Sequence, residues 1–157
     1  MTFDLNHFRE QYDLLAKQYK IPSFKVIHDD FELEKINQES LAVLRVVRKT
    51  MMDKVINTLS FLDLLLHPVN APRVYLPFIK VMTSADKQLI DSVYSSLGQV
   101  SLRSLPLEID YSEKNEAIMI REIYETWEEV KPQLRQLLNE IASPVESSSK
   151  RERSYYG

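Results

Sequence analysis

Residues 37–66, NQESLAVLRVVRKTMMDKVINTLSFLDLLL, contain the longest helical pattern in the chain. Apolar side chains recur here at steps of three and four, which is the spacing of one face of an α-helix. They spread over most of the helix surface towards its end, and such a helix packs against neighbours on most of its sides. We therefore expect an all-α fold, a compact bundle around a long central helix. Its main stripe is Leu44, Val47, Met51, Val55, Leu59, Leu62 and Leu66.

Amphipathic helices are also predicted at the two ends of the bundle. The first covers about residues 4–19 and ends before Pro22, which disfavours helix at the preceding residue. The last begins after Ser112, a good helix cap, and keeps its heptad spacing past Pro132. Because bundles and coiled coils share this spacing, the seam faces either the chain's own core or a second protein. The seam is Ile120, Ile123, Trp127, Val130, Leu134, Leu137 and Ile141.

Shorter elements are expected between these helices. Residues 72–82 predict a short helix, and Thr83 or Ser84 then caps a helix that reaches about Leu102. Gly98 inside that helix indicates a close contact, a bend or an early end. Residues 104–111 alternate apolar and polar side chains, which predicts one extended segment over the helices. The expected total is five to six helices.

Length and composition fit one helical domain. The chain has 157 residues, of which 44% are hydrophobic and 27% are charged, enough to bury a core and remain soluble. We assign residues 1–142 to the domain. Residues 143–157 are rich in serine and charge and short of core residues, so we expect a flexible, disordered C-terminal tail.

Several classes of function are disfavoured by composition. Two glycines are too few for a phosphate-binding loop, and the absence of cysteine removes disulfides, thiolate ligands and a cysteine nucleophile. A net charge of −3 argues against bulk binding to nucleic acid or anionic membrane. The most apolar run, residues 55–66, is shorter than the roughly twenty residues of a bilayer span. We expect a cytoplasmic protein that does not bind membranes.

The sequence shows no catalytic or metal-binding constellation. The three histidines are far apart, and no Glu-x-x-His pair occurs. The HDD triplet at residues 28–30 lacks further ligands at a useful spacing, and the stripe of Glu122, Glu125 and Glu129 beside the heptad seam is better explained as a solvated face than as a cleft for acid–base chemistry. We therefore predict no catalytic residue, no metal ligand and no cofactor, and we do not expect an enzyme.

Our leading hypothesis is a non-enzymatic protein–protein interaction or scaffold module, with dimerisation through the last helix as one form of it. Large aromatic and arginine side chains dominate many interfaces. The candidate partner-binding residues are Trp127, Tyr124, Tyr75 and Arg73.

Two alternatives use other residues. A nucleic-acid accessory protein would contact phosphates through Arg45, Arg48, Lys49 and Lys54, which cluster on the central helix. A small-ligand binder or enzyme would use His67, Asn70, Arg73 and Tyr75 in the stretch HPVNAPRVYLPF, residues 67–78. Its three prolines favour a rigid corner between two helices over a site.

Overall fold

The computed structural model describes the backbone of residues 2–155 and the side chains of residues 2–143. Within the described backbone the fold is all-α and has no β-strand, so the predicted helical bundle is confirmed. Five α-helices have eight residues or more, and two shorter ones and three single turns of 3₁₀-helix connect them. The α-helices are α1 (Leu5–Tyr19), α2 (Phe24–Phe31), α3 (Val43–Leu66), α4 (Leu76–Val81), α5 (Ser84–Ser104), α6 (Pro106–Ile109) and α7 (Glu113–Tyr155).

Helix α3 is the central element, as expected, and packs against α1, α2, α5 and α7. Most of its apolar stripe is buried. It begins at Val43, however, six residues later than the predicted start at residue 37. The backbone N–H of Ala42 donates to the Ser40 hydroxyl at 3.0 Å. Such a local bond offers the backbone an alternative to helix, which accounts for the later start.

The first two helices meet at a tightly bonded corner. Asp4 caps α1 by accepting the N–H of Asn6 at 2.9 Å. At the corner, the buried Tyr12 hydroxyl donates to the Pro22 carbonyl at 2.8 Å, and Asp13 accepts the N–H of Phe24 at 2.8 Å. Burial raises the pKa of Tyr12. These bonds satisfy polar groups that the turn at Pro22 would otherwise leave without partners.

Helix α5 starts with the predicted cap. The Thr83 hydroxyl accepts the N–H of Asp86, and the Asp86 carboxylate accepts the N–H of Thr83, which is a capping box. Two of the three alternatives predicted for Gly98, a close contact and an early helix end, do not hold. Apart from its chain neighbours and the adjacent backbone of its own helix, a Cβ at this position would meet no atom within 4 Å, and the helix continues to Ser104. Gly98 therefore marks neither a close contact nor a helix end.

The prediction of an extended segment at residues 104–111 is wrong. These residues finish α5 and form the single turn of α6, with Pro106 in its first turn, where proline is well tolerated. Of the alternating apolar side chains only Leu107 is buried, whereas Leu105 and Ile109 are exposed. The alternation does not correspond to one face of a strand, because helical geometry distributes these residues around the axis.

Helix α7 has 43 residues and is therefore about 65 Å long. It begins after Ser112, whose hydroxyl accepts the N–H of Asn115 at 3.3 Å, and it continues past Pro132. Its heptad seam is buried inside the chain apart from the half-buried Leu134. The seam therefore packs on the chain's own core.

Two further predictions concern the chain as a whole. The backbone of residues 143–155 continues α7 as a helix, whereas the side chains of residues 144–157 lie outside the described residues, so the flexibility expected of residues 143–157 stays a prediction. Among the described residues, no helix combines the length and the apolar character needed to cross a bilayer.

A candidate binding groove between the central and final helices

Helices α3 and α7 run side by side in the same direction. Arg48 contacts Glu116 near the start of both helices, and Lys54 lies over the ring of Trp127 further along. Near the end of α3, Phe61 and its neighbours face the region around Leu138. We call the part of this interface near Arg48 and Glu116 the first end, and the part near Phe61 and Leu138 the second end. The two ends differ in chemistry.

The first end holds an ion pair between the buried Arg48 and Glu116, joined by the exposed Glu108; we call these three residues the buried ion-pair cluster. Arg48 is 1% exposed and Glu116 is fully buried. Arg48 donates to both carboxylate oxygens of Glu116, and its Nη1 lies 2.9 Å from Oε1 of Glu108. Burial would lower the pKa of Arg48, but the hydrogen bonds to Glu116 and Glu108 outweigh it and raise that pKa. The guanidinium thus stays charged and fully paired.

This cluster takes Arg48 out of the basic patch that the nucleic-acid alternative uses. Arg48 is buried, and Glu108 also lies 3.8 Å from Arg45 and 3.3 Å from Lys49. The fourth candidate, Lys54, lies 5.9 Å above the Trp127 ring. The four side chains therefore do not form one free cationic surface for phosphates.

The second end is open and contains a groove of about 520 Å³ between α2, α3 and α7. We call this depression the binding groove. Its walls carry acidic side chains from α2, polar and aromatic ones from α3, and basic and apolar ones from α7. The lining residues are Asp29, Asp30, Glu32, Lys54, Asn57, Thr58, Phe61, Trp127, Lys131, Leu134, Arg135 and Leu138.

Trp127 is the one tryptophan of the chain and lines this groove. Its side chain is only 6% exposed and packs against the ring of Phe31, with the centroids 5.6 Å apart. The indole Nε1 is buried and has no hydrogen-bond partner among the described residues. A buried N–H donor without an acceptor is uncommon in folded proteins and calls for an explanation.

The charges along the groove divide into paired and unpaired groups. Lys131 lies 2.8 Å from Asp30 and 3.1 Å from Glu128, and the hydrogen bond to Asp30 raises its pKa. Lys54 and Arg135 form no ion pair with any described residue. Lys54 nevertheless lies close enough to Glu32 to help lower the pKa of that carboxyl, after the larger effect of Lys35.

An apolar pocket of about 190 Å³ adjoins the binding groove. Phe61 and Leu138 line both, so the groove and the pocket are continuous. The corner after α3 contributes one wall, because the Tyr75 ring packs edge-on against Phe61 at 5.8 Å between centroids. The pocket is lined by Phe61, Leu65, Tyr75, Phe78, Leu138, Ile141 and Ala142.

The structure places two of the four candidate partner-binding residues on this continuous surface. Trp127 lines the groove, and Tyr75 lines the pocket. Tyr124 is half-buried against the core and lines neither, and Arg73 is exposed on the corner without lining them.

The candidate ligand site at residues 67–78 does not come together as proposed. Tyr75 lines the apolar pocket, whereas His67 and Asn70 are exposed and do not. His67 Nε2 lies 3.8 Å from Asp63 one helical turn earlier, at the surface. The stretch acts as an interhelical corner that supplies Tyr75 and Phe78 to a pocket.

Sequence analysis missed Leu138 and Arg135 as site residues. Leu138 follows the seam residue Leu137 and is 45% exposed, so it is an apolar side chain off the buried stripe. That departure from the heptad pattern was the available signal. Among residues 2–143, no group of three or more histidine, aspartate or glutamate side chains is arranged to hold a metal ion.

Comparison of the chain with models of protein families, with curated protein sequences and with solved structures found no match.

Proposed function

We propose that the protein is a non-enzymatic interaction module that binds an amphipathic segment of a partner protein in the binding groove. The observation that supports this most directly is the continuity of a charged groove with an apolar pocket. Apolar side chains of the segment would fill the pocket, and acidic ones would meet Lys54 and Arg135. Two parallel helices with a depression between them resemble the surfaces that receive amphipathic helices in other complexes.

The groove is a better candidate for partner binding than the heptad seam, because the seam already packs on the chain's own core. Dimerisation through the seam would require buried side chains such as Ile123 and Leu137 to leave the core. The groove needs no such rearrangement, because Phe61, Tyr75 and Leu138 already border open space. A ligand that fills the pocket removes apolar surface from water, and each Å² removed favours binding by about 25 cal/mol.

The proposal is tested by panning a displayed library of random 16-residue peptides against the full chain. The diagnostic variant is Leu138→Arg, which places a charge where groove and pocket meet. The matched control is Leu14→Arg, because Leu14 is 69% exposed on α1, away from the groove. Circular dichroism checks that both variants fold.

We expect peptides selected on the wild-type chain to bind Leu14→Arg equally and Leu138→Arg at least tenfold more weakly. Loss of one apolar anchor of about 1.5 kcal/mol or more corresponds to that factor. Failure to select any peptide, or equal binding by both variants, would reject the groove as a peptide-binding site.

A further inference from the structure

We propose that the apolar pocket is the anchor site for one phenylalanine side chain of the bound segment. This inference rests on the proposed function and names the residue type that the pocket selects. The size of the pocket, the apolar character of its surface and the aromatic rings in its walls each favour this occupant over other side chains.

The pocket is accessible to an incoming side chain. Phe61, Tyr75 and Phe78 are half-buried and Leu138 is 45% exposed, so each has surface in contact with solvent. Phe61 and Leu138 also line the binding groove. A segment that lies in the groove therefore passes beside the pocket and can insert a side chain while the buried core stays in place.

The volume of the pocket corresponds to one six-membered ring. It is about 190 Å³, and an apolar cavity of about 150 Å³ holds one benzene molecule. The remaining volume accommodates the methylene that joins a phenyl ring to the backbone. A leucine side chain leaves part of the pocket empty, and wall atoms next to a void lose their dispersion contacts.

The surface of the pocket is apolar throughout. No polar atom of the described residues contributes to it, although Tyr75 is among the residues that line it. A buried water molecule needs about two to four polar partners, so it is not held here. For the same reason a tyrosine hydroxyl or a charged group that enters the pocket loses its hydrogen bonds to water without replacing them. A phenylalanine side chain carries no such group.

Aromatic rings form much of the wall. Phe61, Tyr75 and Phe78 all line the pocket, and the rings of Phe61 and Tyr75 already pack edge to face at an angle of 61°. Rings whose centroids lie about 4.5–7 Å apart in such arrangements attract each other by more than their buried area accounts for. A phenyl ring gains this attraction, whereas a saturated ring of the same size does not.

The first experiment uses free amino-acid amides and does not depend on any selected peptide. N-acetyl-phenylalanine amide is titrated into the full chain, and the methyl NMR resonances are followed. Its ring current should shift the methyl groups of Leu65, Leu138, Ile141 and Ala142, which line the pocket, and not those of Leu14 on α1. The tyrosine and cyclohexylalanine analogues should bind more weakly.

The second experiment uses the tightest peptide from the library, which we expect to contain phenylalanine at its apolar anchor. Replacing that residue by cyclohexylalanine should weaken binding by about twofold to tenfold, as the loss of an aromatic contact predicts. Replacing it by tyrosine should weaken binding on the order of tenfold or more, because the hydroxyl is buried without a partner.

Two variants connect these losses to the pocket. Ala142→Leu fills the pocket and should weaken binding of both the phenylalanine amide and the peptide, whereas Ala85→Leu, at an exposed position of α5, should not. Tyr75→Leu keeps an apolar wall but removes one ring, so it should reduce the preference for phenylalanine over cyclohexylalanine. The control Tyr111→Leu, at an exposed tyrosine, should leave that preference unchanged.

Different results reject different proposals. Selected peptides that have no phenylalanine at the anchor, or that bind equally well with cyclohexylalanine there, would overturn the anchor site but leave the groove as a binding site. A phenylalanine amide that shifts the Leu14 methyl groups as strongly as those of the pocket would also overturn the anchor site. Failure to select any peptide would reject both proposals, because the bound segment is then not the source of the ring.

Discussion

The two ends of the α3–α7 interface differ in whether their buried polar groups have partners. At the buried ion-pair cluster, Arg48 and Glu116 leave water completely and every charge has a partner from another helix. At the binding groove, Trp127 leaves an N–H without an acceptor, and Phe61 and Leu138 border open space. One end has all its charges paired within the folded chain, whereas the other leaves a donor and apolar side chains without partners among the described residues.

This difference separates a fully paired end from an open end along one pair of helices. A buried pair contributes little net stability over apolar side chains, but it penalises any packing that separates the two charges. The cluster is thus suited to hold α3, α6 and α7 in register. The groove, by contrast, retains unsatisfied polar and apolar surface, as is typical of binding sites.

The largest predicted effect comes from breaking the cluster. Arg48→Met should lower the free energy of unfolding by about 3–5 kcal/mol, because it leaves the Glu116 carboxylate buried without its partner. The double variant Arg48→Met with Glu116→Leu should recover most of the loss. Urea unfolding followed by circular dichroism measures both.

The control for that experiment is Lys49→Met, which removes an exposed partner of the same Glu108. Its expected effect is within about 1 kcal/mol, as for surface ion pairs. If Arg48→Met costs no more than Lys49→Met, the cluster does not hold the fold together and the contrast between the two ends is lost.

An intermediate effect, with the opposite sign, is expected at the apolar pocket. Ala142→Leu adds carbons next to open space and should raise the free energy of unfolding by about 1 kcal/mol, since each buried methylene contributes up to about 0.8 kcal/mol. It should also weaken peptide binding by filling the pocket. Ala85→Leu, at an exposed position of α5, controls for the substitution itself. A destabilisation above about 1 kcal/mol would show that the pocket is already closed.

The smallest effect concerns pH. Burial opposes ionisation of Glu108, but hydrogen bonds from Arg48 and Lys49 prevail and hold its pKa below the usual 4.5. A lowered pKa adds stability above pH 4.5, and this stability is lost as the pH falls through the lower folded-state value. Glu108→Gln should therefore destabilise the protein near pH 6 and make little difference near pH 2. The free energies of unfolding of the wild type and Glu108→Gln are measured near pH 6 and pH 2. An equal difference between the two proteins at both pH values would contradict this.

Local sequence rules predicted the individual helices well. Steps of three and four located α1, α3, α5 and α7, and Thr83 and Ser112 cap their helices as expected. These signals are local, because a helix and its cap depend on residues within a few positions. The rule that alternating apolar and polar residues form an extended segment failed at residues 104–111. An alternation over only eight residues did not override the helical structure on either side.

The sequence by itself determined a helical bundle around residues 37–66, and it indicated Trp127 and Tyr75 as candidate contact residues. Only the tertiary structure decided that Arg48 is buried on Glu116 and that Trp127 and Tyr75 line one continuous surface. The physical reason is separation along the chain. Arg48 and Glu116 are 68 residues apart, and no periodic pattern encodes which face of one helix meets which face of another. That choice depends on how all the apolar stripes pack together, and it also decides which polar groups remain without partners.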